Sequence, residues 1–145
     1  MSPNTASINF VKTSPTIYQA LIQAQQAILD VGLPARLHHL LVLRASQINA
    51  CAFCVKMHIA EARRDGETEA RLDRLIVWRH VDDFTAAEKA ALAWTEALTV
   101  LKAEAEFGPL RATLREHFND EQISALTATI AMINLWNRIQ ISQHS

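Results

Sequence analysis

Residues 34–58 read PARLHHLLVLRASQINACAFCVKMH. Leu37, Leu40, Leu41, Ala45 and Ile48 recur at the spacing of one helix face, and Pro34 opens the segment where a missing N–H does no harm. Asn49 is the expected terminator, because Asn tolerates the left-handed backbone conformation. Cys51, Cys54 and His58 follow at steps of three and four residues, so a helix beginning near Cys51 turns all three to one side. The segment before the Cys pair is thus helix-periodic. A thioredoxin-like redox motif would need a strand there and a βαβ frame after it.

The helical period continues in both directions. Upstream, Ser14-Pro15 reads as an N-cap and first helical residue, and Ile17, Leu21, Ala24 and Ile28 form a stripe that ends at Gly32. Downstream, the segment from Cys51 stops at Gly66, and another starts near Thr68 with Leu72, Leu75 and Ile76 on one side. Thr85 with Glu88 is a capping-box pattern, leading into a buried stripe of Ala91, Trp94, Leu98 and Leu101. Gly108-Pro109 interrupts the chain and Leu110 and Leu114 mark a short helix. Asn119 with Gln122 then caps a last helix carrying Ile123, Leu126, Ile130 and Ile133. No run alternates like a strand. The expectation is an all-α single domain over residues 1–145, with about six or seven helices and a polar arm over residues 1–12.

With 50% hydrophobic residues, a chain of 145 can bury a core of its own. Its 14 Lys and Arg against 15 Asp and Glu leave a net charge of -1 and no basic stripe, which argues against a nucleic-acid partner. The start, MSPNTASINFVKTS, lacks the charged and apolar regions of a signal peptide. The longest apolar stretch, Ile123 to Trp136, is broken by Ser124, Thr127, Thr129 and Asn134. No membrane span is expected, and the expected compartment is the cytoplasm, where a close Cys pair is more often catalytic or metal-binding than structural.

A helix start suits thiolate chemistry. The unpaired amides of the first turn stabilise a negative sulfur, an imidazole one turn on can take the thiol proton, and a second thiol stands ready to close a disulfide. Lys56 adds a weaker positive field. Two other readings fit the same residues. Cys51, Cys54 and His58 can be ordinary buried side chains on a helix face, or they can bind metal together with His38 or His39. The metal reading suffers from having one ligand pair and a lone His on a single helix, without the second pair that structural zinc sites usually bring. No cofactor-binding motif is present, so neither cofactor nor metal is expected.

The stretch LLVLRASQINACAFCVKMHIAEARRDGETEARL, with WRHVDDFTAAEKAALAWTEALT after it, resembles the alkylhydroperoxidase D-like, or carboxymuconolactone decarboxylase, superfamily. The resemblance runs from about Leu37 to Leu101, and AMINLWNR is similar to the family's closing helix. Ser-Gln-Ile-Asn, the Cys pair and the following His mark the redox branch; the decarboxylase branch proper lacks the pair. The resemblance implies a helical homo-trimer or homo-hexamer that reduces hydroperoxides, or a partner's disulfide, at the expense of a thiol or disulfide reductant. By the same resemblance Cys54 is the peroxidatic nucleophile that becomes a sulfenic acid. Cys51 is the proton donor and resolving thiol, the two form the redox-active disulfide, and His58 belongs to a proton relay with a Glu twelve residues before the first Cys.

That position is His39 here, and a neutral or cationic imidazole does not raise the basicity of His58 as a carboxylate does. A rival reading follows, in which the scaffold is kept as a redox-responsive or metal-binding helical oligomer without turnover. Ala50 is a second departure, since relatives often carry Gly there; Asn49 is expected to take the strained conformation instead. Glu61, one turn beyond His58, is of a type that usually sits on a solvated face. Trp78, Trp94 and Trp136 are expected in the packing, His80 at a helix end, and His117 and His144 at the surface. Asn134, Asn137 and Arg138 interrupt the apolar face of the last helix, either to satisfy buried groups or to meet another subunit.

Overall fold

The computed structural model describes residues 2–144. Among them the order is α1 (Phe10–Thr13), α2 (Pro15–Asp30), α3 (Ala35–Ile48), α4 (Ala52–Arg64), α5 (Glu69–Arg74), a 3-10 segment (Leu75–His80), α6 (Ala86–Thr99), α7 (Phe107–Arg115) and α8 (Asp120–Ile141). The class is all-α, with no strand among the described residues, and none of their helices is long and apolar enough to cross a membrane. These eight α-helices are one more than the upper end of the six or seven expected. The addition is α1, a single turn too short to carry a periodic pattern, which Asn9 caps by accepting the Lys12 N–H at 3.0 Å. Residues 2–9 before it are exposed and without helix.

α3 occupies the middle of the molecule and packs against α4, α6 and α8. Leu40, Leu41 and Leu43 are fully buried in one cluster with Leu75, Leu92, Leu126 and Ile130. Each such side chain contributes about 1.5–3 kcal/mol by leaving water, which fixes the rotation of α3 and hence the place where its C-terminal end delivers the Cys pair. Both capping boxes close as the sequence suggests, Thr85 with Glu88 and Asn119 with Gln122.

Several registers differ from expectation. The inner face of α2 runs through Tyr18, Leu21, Gln25 and Ile28, leaving Ile17 55% exposed. Trp136 of α8 selects this face, since its ring meets Tyr18 edge-on and its Nε1–H donates to Gln25 Oε1 at 2.6 Å. Ile76 is 63% exposed because the chain tightens into the 3-10 segment at Leu75, with Val77 at φ -118. Leu101 is exposed because α6 ends at Thr99. Gly108-Pro109 lies inside the first turn of α7, where proline costs no helical hydrogen bond.

Candidate active site around the Cys51–Cys54 pair

The site begins with the turn between α3 and α4. Ser46 Oγ–H donates to the Val42 carbonyl at 2.7 Å and accepts Asn137 Nδ2–H at 3.0 Å. The Asn49 amide donates to both Asn134 Oδ1 and Asn137 Oδ1 at 2.9 Å, and Asn134 in turn donates to Thr99 Oγ1 and the Ile130 carbonyl. The asparagines of α8 therefore work within the chain, clamping the end of α3 so that the next residues turn at a fixed point. In such a clamp every buried amide has partners, which is what makes it rigid.

The left-handed residue is Ala50, at φ +56, and not Asn49, at φ -80. The clamp explains the exchange: Asn49 stays helical so that its amide reaches α8, and the reversal falls on the next residue. A side chain pays about 1–2 kcal/mol for that conformation, partly offset by the lower entropy of Ala in the unfolded chain. Ala50→Gly is accordingly expected to stabilise the protein by about 0.5–1 kcal/mol, read as a higher urea midpoint. A lower midpoint would mean that the turn carries no strain.

Cys51 is the N-cap of α4 and its Sγ accepts the Cys54 N–H at 3.4 Å. The two sulfurs are joined in a disulfide, with Cα atoms 5.3 Å apart. Cys54 stands in the first turn, where unpaired amides and the helix dipole favour a thiolate once the bond is reduced. Both residues are 1% exposed or less. They differ in outlook: Cys54 borders a cleft of about 380 Å³, and Cys51 is not on its wall.

His58 is buried one turn beyond Cys54 on the same cleft. Its Nδ1 meets Glu61 Oε2 at 3.2 Å, so Glu61 is drawn to the imidazole instead of standing free on a solvated face. Its Nε2 is buried without a partner. Burial holds the His58 pKa below its ordinary value, with His39 adding to the effect and Glu61 opposing it, so the ring is neutral at pH 7.

His39 is buried as well, but its Nε2 pairs with Asp65 Oδ2 at 2.6 Å, at the C-terminal end of α4, and its Nδ1 has no partner. The histidine that faces the cleft is its neighbour His38. Burial, then repulsion from His39 and His58, lowers the His38 pKa to about 4. Among the described residues no three His, Cys, Asp or Glu side chains are gathered as metal ligands, the two sulfurs being bonded to each other. His38, Glu61 and Asp65 belong to this cluster without a sequence signal that singles them out, because the rotation of α3 decides which of two adjacent histidines meets the cleft and the carboxylates look like ordinary surface residues.

Residues 15–97 match the sequence profile described as the carboxymuconolactone decarboxylase family. The chain belongs to that family. Over 135 residues it is 33% identical to the uncharacterised protein YdfG of Bacillus subtilis (strain 168), covering 93% of this chain and 92% of the relative. Among solved structures, it is similar to a protein of unknown function from Agrobacterium tumefaciens that is named as a candidate AhpD antioxidant defence protein. The identity is 40%, the TM-score 0.89, and 94% of each chain is covered. It is also similar to an uncharacterised peroxidase-related protein from Ralstonia eutropha JMP134 described as an alkylhydroperoxidase AhpD core. There the identity is 25% and the TM-score 0.76, over 88% of this chain and 68% of the other. Within the carboxymuconolactone decarboxylase family, this member thus has the AhpD-like fold together with a Cys-x-x-Cys pair.

Proposed function

We propose that this protein reduces hydroperoxides through a thiol–disulfide cycle of Cys54 and Cys51. The observation that carries the reading is the asymmetry of the pair: Cys54 borders the cleft beside neutral His58, while Cys51 is bonded to it from behind the wall. In the reduced protein His58 takes the Cys54 thiol proton, and the thiolate attacks the distal peroxide oxygen. The O–O bond breaks, Cys54 becomes a sulfenic acid, and the departing alkoxide takes the Cys51 proton to leave as an alcohol. The Cys51 thiolate then attacks the Cys54 sulfur. The S–S bond forms, and the expelled hydroxide takes the proton from His58 and leaves as water. Two thiols and one hydroperoxide give a disulfide, an alcohol and water, and an external dithiol returns the two electrons.

Exposure of 1% or less at both sulfurs favours a small organic oxidant over the disulfide of a folded protein, which could not approach Cys54 through the cleft. Asp65 stands off the cleft, beside His39. It sets a carboxylate on His39, so the anion that the family pattern has at this position is supplied by the far end of α4. The direct test is consumption of cumene hydroperoxide with dithiothreitol as reductant. The wild type should turn over while Cys54→Ser matches buffer; a non-catalytic redox-responsive oligomer would give the same background rate for both proteins.

The acid limb of activity gives a second check. A base with a lowered pKa stays neutral down to that pKa, so kcat/KM should fall only below pH 6.5 as His58 takes a proton. Glu61 favours the charged ring, and Glu61→Gln should therefore move this limb to lower pH. A limb unchanged in Glu61→Gln would remove His58 from the proton path.

A further inference from the structure

We propose that the cleft beside Cys54 selects uncharged, largely apolar hydroperoxides and rejects those that carry a carboxylate. This rests on the peroxidase reading above and adds the substrate class. A volume of about 380 Å³ far exceeds what hydrogen peroxide needs, and lies in the range of sites for small organic ligands. Its walls come from five helices, α3 among them through His38 and Val42. Phe53 and Met57 of α4 flank Cys54, Ile133 and Trp136 of α8 stand on the wall, and Phe10 of α1 and Ile22 of α2 complete it.

The charge inventory is one-sided. Among the described residues, no Lys or Arg borders the cleft. Lys12 and Lys56, next in sequence to wall residues, are exposed and stand outside it, where water and salt weaken their field. Of the titratable groups on the wall, His38 is neutral at pH 7, with a pKa of about 4, and His58 is neutral too. Glu61 is the one carboxylate among the described wall residues. The other polar side chains are uncharged, and one of them, Gln25, already accepts the Trp136 indole N–H. A carboxylate brought into the cleft would lose its water, find as cation only the His58 imidazolium that the Cys54 thiolate already pairs in the reduced protein, and meet Glu61. An apolar tail with a neutral hydroperoxide meets only matching surface.

Cumene hydroperoxide, its 4-carboxylate and the methyl ester of that carboxylate share one reacting group and one ring, and differ in charge. Wild-type kcat/KM at pH 7 should be similar for the parent and the ester, and lower for the carboxylate by roughly 30-fold or more. Gln140→Arg, which adds a cation to the α8 wall, should narrow the gap between ester and carboxylate at least several-fold. Binding of the three corresponding alcohols to the disulfide form, followed by tryptophan fluorescence through Trp136, gives a readout that needs no turnover and should follow the same order. Equal rates and equal binding for ester and carboxylate would overturn the selectivity while leaving the peroxidase reading intact. Selective binding of the neutral alcohols without turnover would sustain the cleft's preference and count against the peroxidase. If none of the three alcohols binds, the cleft is not the organic site and the inference falls.

Discussion

Cys54→Ser is expected to lose hydroperoxide turnover by roughly a thousandfold or more, whereas Cys51→Ser should consume one equivalent of hydroperoxide and then stop. The two residues are three apart and bonded to each other, so a merely structural role for the pair would make the substitutions alike. They differ because only Cys54 borders the cleft. Without Cys51 the first chemical step still has its thiolate, its helix start and its imidazole, but the sulfenic acid has no thiol nearby to expel hydroxide. A dimedone adduct on Cys54 in the Cys51→Ser protein, with one equivalent of alcohol released, is the expected measurement. Equal residual turnover in both variants would mean that neither sulfur is the nucleophile.

Arg71→Ala is expected to cost about 3–5 kcal/mol of stability at pH 7, as breaking a buried ion pair does. Arg71 of α5 pairs with Glu67 and Glu88, donates to the Asp83 carbonyl and stacks over the Phe84 ring at 4.8 Å. The Glu67 side chain is 1% exposed, with Arg36 on its other side, and Glu88 also closes the capping box of α6. Burial alone would raise both carboxyl pKa values. The bonds from Arg36 and Arg71 to Glu67, and from Arg71 to Glu88, outweigh it and hold both below the usual range. In the wild type that contribution is present above pH 4.5 and fades as pH falls through the lowered values. Without Arg71 the two acids are left in burial with less compensation, their pKa values rise, and the deficit of the variant should shrink between pH 7 and pH 5. Urea midpoints at the two pH values measure this. The exposed pair of Arg63 and Glu69 is the contrast, and Arg63→Ala should leave the urea midpoint essentially unchanged.

The helices were legible wherever one signal dominated. Leu37, Leu40 and Leu41 announce α3, and the two capping boxes mark the starts of α6 and α8 to the residue. Reading failed where a distant partner decided. Nothing in α2 says that Trp136 will take Tyr18 and Gln25 and leave Ile17 in water. At the site, helical spacing put Cys51, Cys54 and His58 together, because three- and four-residue steps on one helix are local geometry. It could not tell His38 from His39, since the two point about 100° apart on α3 and only tertiary packing decides which of them meets the cleft. Nor could it foresee Asp65 meeting His39 across 26 residues, or Asn49 reaching α8 and passing the reversal to Ala50. Those are tertiary choices, fixed by which surfaces meet.

In the proposed cycle Cys54 takes oxygen from a hydroperoxide and Cys51 closes on it within the same chain. Mixing the fully reduced protein with one equivalent of cumene hydroperoxide, without external thiol, and reading intact mass and released alcohol together tests it most directly. The predicted result is one alcohol per chain and a monomer lighter by two hydrogens, with the Cys51–Cys54 peptide carrying the disulfide. Unconsumed hydroperoxide, or a disulfide that joins two chains, would contradict it.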